Sequence, residues 1–261
     1  MSKRTVLFFL LAVGLLQGCI VVQDKYDKIA PGVWRGVIQI IPTNVALNKD
    51  AKPAYRDLIQ FEEVTSGEAP FLMDVSYTET GDLRMVIENG DSLVVPKIYY
   101  GLNRATALDT IVMQFNDSSK VTAQTQEGII EGDWIAGDHI IHFVAKHGKD
   151  YRFTSLKKKP AHNIAGNYKL SFIKDNYSKD IPEQVTLEIL HNDLENDLTG
   201  YITFQGKRKQ LKGTIQRNKF YLSRFDGEDA ILVEGKIFDN NSISGILQVN
   251  KSVDILWSAL K

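Results

Sequence analysis

Three histidines, His139, His142 and His147, stand close enough in the chain to suggest a metal centre. In an extended strand, however, residues three apart point to opposite faces, so His139 and His142 cannot share a ligand shell without a bulge. His147 precedes Gly148 and falls in the turn before Tyr151-Arg152-Phe153. Ordinary surface or half-buried imidazoles are expected, with no metal and no cofactor. Asp193-Leu194-Glu195-Asn196-Asp197 alternates its acids as a calcium loop does, but Leu198 stands where that loop needs glycine and Phe204 where it needs a bidentate glutamate. A polar hairpin loop accounts for it. Asp226-Gly227-Glu228-Asp229 reads as a turn in which Gly227 takes a positive φ, a weak cation site being the alternative. No nucleophile elbow, zinc-protease helix or phosphate loop is present. Carboxylate pairs for glycoside hydrolysis stay open, because acids are scattered along the chain and their separation cannot be read from the sequence. Trp34, Trp134 and Trp257 are expected in cores or near their mouths, where they would line a pocket if the interiors were hollow; filled interiors are the expectation.

The sole cysteine, Cys19, ends the stretch Leu16-Gln17-Gly18-Cys19. Ahead of it lie Lys3-Arg4 and an apolar run from Val6 to Leu16, too short to span a bilayer and the right length for a secretory signal core. The pattern resembles a bacterial lipoprotein signal, which implies cleavage before Cys19 and acylation of its thiol. Roughly 0.8 kcal/mol per buried methylene would then hold the chain on the membrane. Ile20 in place of aspartate fits outer-membrane sorting, with the body facing the periplasm. A lipidated Cys19 leaves the body without a thiol, which excludes disulfides, thiolate catalysis and cysteine-bound zinc.

Removing residues 1–18 from 261 leaves 243, and takes two of the 31 basic residues and none of the 32 acidic ones, so the body is formally −3. Nothing there invites nucleic acid. Residues 19–30 have no clear period and are expected to form a tether. From Val33 onward the pattern is alternation, the period of half-buried strands. Phe71, Met73, Val75 and Tyr77 share one parity, and Glu88-Asn89-Gly90-Asp91 supplies an Asn-Gly hairpin turn. Strands are expected at 34–41, 56–64, 71–77, 83–88, 92–95, 110–115, 120–126, 128–135, 139–146 and 150–155, with a loop at 43–55 and one helical turn at 104–109. Lys157-Lys158-Lys159-Pro160 breaks the pattern. Eight regular strands are expected beyond it: 166–174, 184–191, 198–205, 209–216, 219–225, 230–238, 242–249 and 252–259. Four of these carry a glycine on the apolar parity, Gly200, Gly213, Gly235 and Gly245, which argues for a strongly curled sheet. The expected architecture is all-β, two tandem antiparallel domains, each a small barrel or tight sandwich of lipocalin-like (calycin) type. The divisions are a signal at 1–18, a tether at 19–30, a first domain at 31–157, a linker at 158–163 and a second domain at 164–261. Gly32-Val33-Trp34-Arg35 and Gly166-Asn167-Tyr168-Lys169 open the two halves alike, which suggests duplication of one fold.

Five stretches in order are similar to the β-rich region upstream of the thioredoxin-like domain in bacterial TlpA-like thiol-disulfide oxidoreductases: Pro31-Gly32-Val33-Trp34-Arg35-Gly36, Gly90-Asp91-Ser92-Leu93, Glu131-Gly132-Asp133-Trp134, Phe143-x-Ala145-x-His147-Gly148-x-x-Tyr151-Arg152-Phe153, and Leu222-Ser223-x-Phe225-Asp226-Gly227. The last two are the specific ones. No Cys-x-x-Cys is present, so the catalytic role of that family finds no matching position here. The resemblance implies an envelope protein with a binding or accessory role, beside a separate thioredoxin-like partner. The alternatives are a carrier of a small apolar ligand, or a carboxylate-based hydrolase.

Overall fold

The computed structural model describes residues 29–40, 67–105, 108–154, 160, 162–172, 184–191, 196–204, 206–239, 242–250 and 255–261. Cys19, the expected signal and most of the expected tether lie outside them, as do the expected loop at 43–55, the expected strand at 56–64 and most of the calcium-like loop. The chain is all-β, as alternation predicts. Its first sheet comprises β1 (Gly32–Gln39), β2 (Glu68–Tyr77), β3 (Leu83–Glu88), β4 (Leu93–Val94), β5 (Lys97–Asn103), β6 (Leu108–Asn116), β7 (Ser119–Gln126), β8 (Ile129–Ala136) and β9 (His139–His147). The second comprises β10 (Gly166–Phe172), β11 (Val185–His191), β12 (Asp197–Phe204), β13 (Lys207–Gln216), β14 (Lys219–Phe225), β15 (Ala230–Ile237), β16 (Ser242–Val249) and β17 (Ile255–Leu260).

Both sheets are antiparallel meanders. The second closes into an eight-stranded barrel, β17 pairing back onto β10. Among the described residues the first pairs β9 with β1 but leaves β4 and β5 unbonded to each other, a nine-stranded curl with a slit. The slit has a local cause. Pro96 has no N–H to extend a ladder, and β4 is only two residues long.

The glycines on the apolar parity of the second half explain the closure. A Cβ on Gly213 would sit 1.7 Å from the Tyr221 carbonyl oxygen, and one on Gly245 would sit 1.8 Å from that of Glu234. Adjacent strands approach this closely only because no side chain intervenes, and the sheet coils there. Tyr168, Phe220, Leu222 and Trp257 then fill the barrel interior.

The matching openings of the two halves form matching structures. Trp34 Nε1 donates to the Ala30 carbonyl at 2.9 Å, and the Tyr168 hydroxyl donates to the Ile164 carbonyl at 2.9 Å, each four residues upstream. Each ring thereby ties the entering chain across one end of its own core.

Several expectations need correction. The segment at 150–154 is irregular rather than a strand, because Arg152 and Phe153 turn towards the second domain instead of joining a ladder. Residues 97–103, read as no element from the sequence, form β5. The expected helical turn at 104–109 is absent over its described part, with a turn at 104–105 and β6 beginning at Leu108. The end of the expected tether belongs to the body: Ile29 is buried in the first core, and its N–H and carbonyl both bond the Tyr77 hydroxyl.

Candidate functional site

The two domains share a core. Along β14 and β15 one parity, Phe220, Leu222, Ile231 and Val233, fills the barrel. The other parity faces outward and is covered by the first domain from Tyr221 to Phe225 and from Ala230 to Leu232, so these two strands are buried on both faces there. Phe225, Ala230 and Leu232 belong to the first domain's core. Phe225 enters the end of the curl and meets Phe71 at a centroid separation of 4.7 Å, Trp134 at 5.1 Å and Phe115 at 5.5 Å, the last two edge to face. Such pairs contribute about 0.5–1.5 kcal/mol each beyond area burial.

Polar groups lock this plug. Trp134 Nε1 donates to Ser119 Oγ at 2.9 Å, and the Ser119 hydroxyl donates to the Gly227 carbonyl. Gly227 has φ +82°, as its turn requires, and a Cβ there would lie 2.1 Å from Phe115. Asn89, in the β3–β4 turn, gives its amide to the Phe225 carbonyl at 2.8 Å and accepts the Phe225 N–H at 3.4 Å, as a neighbouring strand would. Ser223 Oγ donates to the Pro70 carbonyl at 2.6 Å, and Gly67 N–H to Glu234 at 2.8 Å.

Two arginines complete the junction. Arg152 donates to the Ser223 carbonyl at 2.9 Å and to the Glu88 carbonyl at 2.6 Å, while its own carbonyl accepts Arg35 Nε at 2.9 Å. Burial, aided by the nearby Arg224 and Arg35, pushes the Arg152 guanidinium down to about 10, still charged at neutral pH. Arg224 spans the domains, reaching Asp91 at 2.9 Å, Ser92 at 3.0 Å and Asp226 at 2.9 Å. Burial opposes ionisation of Asp226, but the Asp229 N–H, Lys209 and Arg224 outweigh it and hold its carboxyl below the ordinary value. Asp226 and Asp229 thus accept bonds from the chain's own cations, Lys209 bridging both. That makes it an ion-paired turn.

Beside this junction runs a cleft of about 840 Å³. The first domain contributes Leu72, Glu88 and the irregular stretch Asp150 to Phe153; the barrel contributes Leu190, His191, Asp197, Leu198, Thr199 and Lys212. Lys212 Nζ donates to Thr199 Oγ1 at 3.0 Å along the barrel wall. Acceptors, donors and apolar side chains therefore face one space, in a volume typical of pockets that enclose a small ligand (about 300–1,000 Å³).

The residues singled out from sequence separate accordingly. Trp134, Phe225, Asp226 and Gly227 converge at the junction, not in the cleft. Trp34 lies in the first core beside the His147 ring, at 5.2 Å, and Trp257 in the barrel near Phe220, at 6.3 Å. His142 lies on the outer face between Glu131 and Asp133, at 3.8 and 3.7 Å, while His139 is exposed at a strand end on the opposite parity. Burial pushes the His142 imidazole below its ordinary value, despite both carboxylates. Among the described residues no three metal-ligating side chains come together. Leu190 and His191, adjacent on β11, and Lys212 on β13 carry no local spacing in the sequence that would join the two strands. Arg224 occupied the unspecified position of a motif already noticed.

No family model and no curated protein matches the chain. Solved structures with some similarity include a protein of unknown function from the DUF3598 family of Nostoc punctiforme, at 11% identity over 88% of this chain and 94% of that one, with a TM-score of 0.27. The Myxococcus xanthus hemagglutinin in complex with a3,a6-mannopentaose is similar at 11% identity over 88% and 99%, TM-score 0.19. An agglutinin of Burkholderia oklahomensis is similar at 10% identity over 88% and 94%, TM-score 0.19.

Proposed function

We propose that the chain is a lipid-anchored module of the bacterial cell envelope that binds a ligand without transforming it, and that the interdomain cleft is the seat of binding. The observation that carries this reading is the cleft itself, formed by both domains at a junction whose buried contacts hold its walls at a fixed separation. Preformed walls lower the ordering cost of association. The packed side chains inside the barrel favour the cleft over a lipocalin-like interior as the seat. The Leu16 to Cys19 stretch supports anchoring, with the body facing the periplasm.

Two measurements test the proposal. Growth with a labelled fatty acid should mark the wild-type chain, and Cys19→Ala should abolish both the label and membrane retention. With Leu190→Cys placed in the cleft, a maleimide should react freely with the purified protein and more slowly in the presence of envelope extract. Reaction unaffected by any extract fraction would remove the binding role.

An accessory role beside a thioredoxin-like protein is a second reading, supported by the resemblance of five stretches to the region upstream of such domains. The two specific stretches meet where Arg152 donates to the Ser223 carbonyl, so interdomain docking is reason enough for their residue types. A pull-down from membranes that recovers a thioredoxin-like protein would favour the accessory reading.

A further inference from the structure

We propose that the ligand of the interdomain cleft is a neutral, polyhydroxylated molecule of the carbohydrate class; this rests on the cleft being a binding site and adds the chemistry it selects. Glu88, Asp150 and Asp197 bring carboxylates, which at neutral pH only accept hydrogen bonds. Lys212 and Thr199 bring donors on the opposite, barrel side, the lysine ammonium retaining further protons beyond the one it gives to Thr199. Tyr151 is half-buried and adds a ring with a hydroxyl, and Leu72 and Leu190 add apolar surface. The Arg152 guanidinium is committed to two carbonyls at the back of the cleft.

Ligand classes fit these walls unequally. A hydrocarbon would strip water from three carboxylates and an ammonium and return no hydrogen bond, at a cost of several kcal/mol. An anion would meet three carboxylates against the Lys212 ammonium and the buried Arg152 guanidinium, whose protons already serve Thr199 and two backbone carbonyls. A simple cation would suit the acids but leave Lys212 facing like charge and the leucines facing water. A sugar hydroxyl carries one donor and two lone pairs, so a ring of hydroxyls can give protons to the acids and accept from Lys212 at once. The C–H faces of the same ring pack on an aromatic side chain and on leucine methyls. Only an amphiphile of this kind uses both the polar and the apolar sides of the cleft.

The experiment is isothermal titration of the full-length lipoprotein in detergent with maltotriose, cellotriose and chitotriose, and with trilysine and palmitate as the competing classes. At least one trisaccharide should bind saturably. Asp197→Asn and Tyr151→Ala should each weaken that binding by about tenfold or more, in line with the loss of one good contact. Leu190→Trp, which places bulk at an exposed position and leaves the core untouched, should abolish it, while His142→Gln on the outer face should leave it unchanged. No trisaccharide binding, binding unaffected by the cleft variants, or binding of trilysine or palmitate alone would each overturn the assignment. Protection of Leu190→Cys by envelope extract, together with failure of every trisaccharide, would overturn the ligand class and leave the binding role standing.

Discussion

Phe225 is the side chain on which the two domains most depend, because it is fully buried against three aromatic rings that belong to the other domain. Truncation of a buried phenylalanine costs about 3–5 kcal/mol. Phe225→Ala should therefore lower the denaturant midpoint by a large fraction of a typical domain's stability, and near-ultraviolet circular dichroism should show loosening around Trp134. Gly227→Ala is expected to be damaging through backbone and packing together, since φ is +82° and the new methyl would meet Phe115. A loss of more than about 1 kcal/mol in chemical denaturation would fit this, and a neutral result would contradict the role given to the turn. The His142 imidazole, held below its ordinary value by burial, makes the unfolded chain the better proton binder as pH falls below about 6.5. Stability should thus decline from pH 7 towards pH 5, and His142→Gln should flatten that part of the profile in thermal melts.

At the level of elements, the four glycines of the second half show how a residue pattern becomes curvature. Gly213 faces Leu222 and Gly245 faces Gly235 in the strand register, and in each case backbone occupies the space a side chain would need. Gly213→Val should prevent closure of the barrel, read as loss of cooperative unfolding or failure to recover folded protein. The same logic runs in reverse at β4, where Pro96 limits pairing and leaves the slit of the first sheet. Alternation located most strands because one face of each is buried and the other wet. It failed at 150–154, where aromatic alternation arises from docking: Phe153 packs on Tyr221 at a centroid distance of 6.2 Å. It also passed over β5, whose Ile98 and Tyr100 are only partly buried beside the slit.

For the whole molecule, the shared core makes the domains unequal. The barrel closes on itself, whereas the first curl takes Phe225, Ala230 and Leu232 from its neighbour. A chain of residues 164–261 should fold alone, a chain of residues 29–157 should remain loosely packed, and the intact protein should unfold in one transition by calorimetry. Two separate transitions would show that the junction is weaker than its contacts imply. Acid should act on the same place. Asp91 and Asp226 have carboxyls held below their ordinary value in the folded chain, so their contribution is present above about pH 4 and is lost as pH falls through the lowered values. Asp226→Asn should remove part of that dependence. Asp91 is more than a third exposed, so its share is the smaller.

The amino-acid sequence by itself determined the all-β class, the two antiparallel halves, the curl of the second sheet and the turns at Asn89-Gly90 and Asp226-Gly227. Each rests on neighbours within a few residues, where period, glycine and turn chemistry act locally. Tertiary structure alone decided that much of the outer faces of β14 and β15 is interior, that Trp134, Phe225 and Gly227 meet at the junction between the domains, and that a cleft opens between Tyr151 and Leu190. Those outcomes depend on pairs more than 35 residues apart, and a strand's alternation states which residues share a face but not what that face will meet.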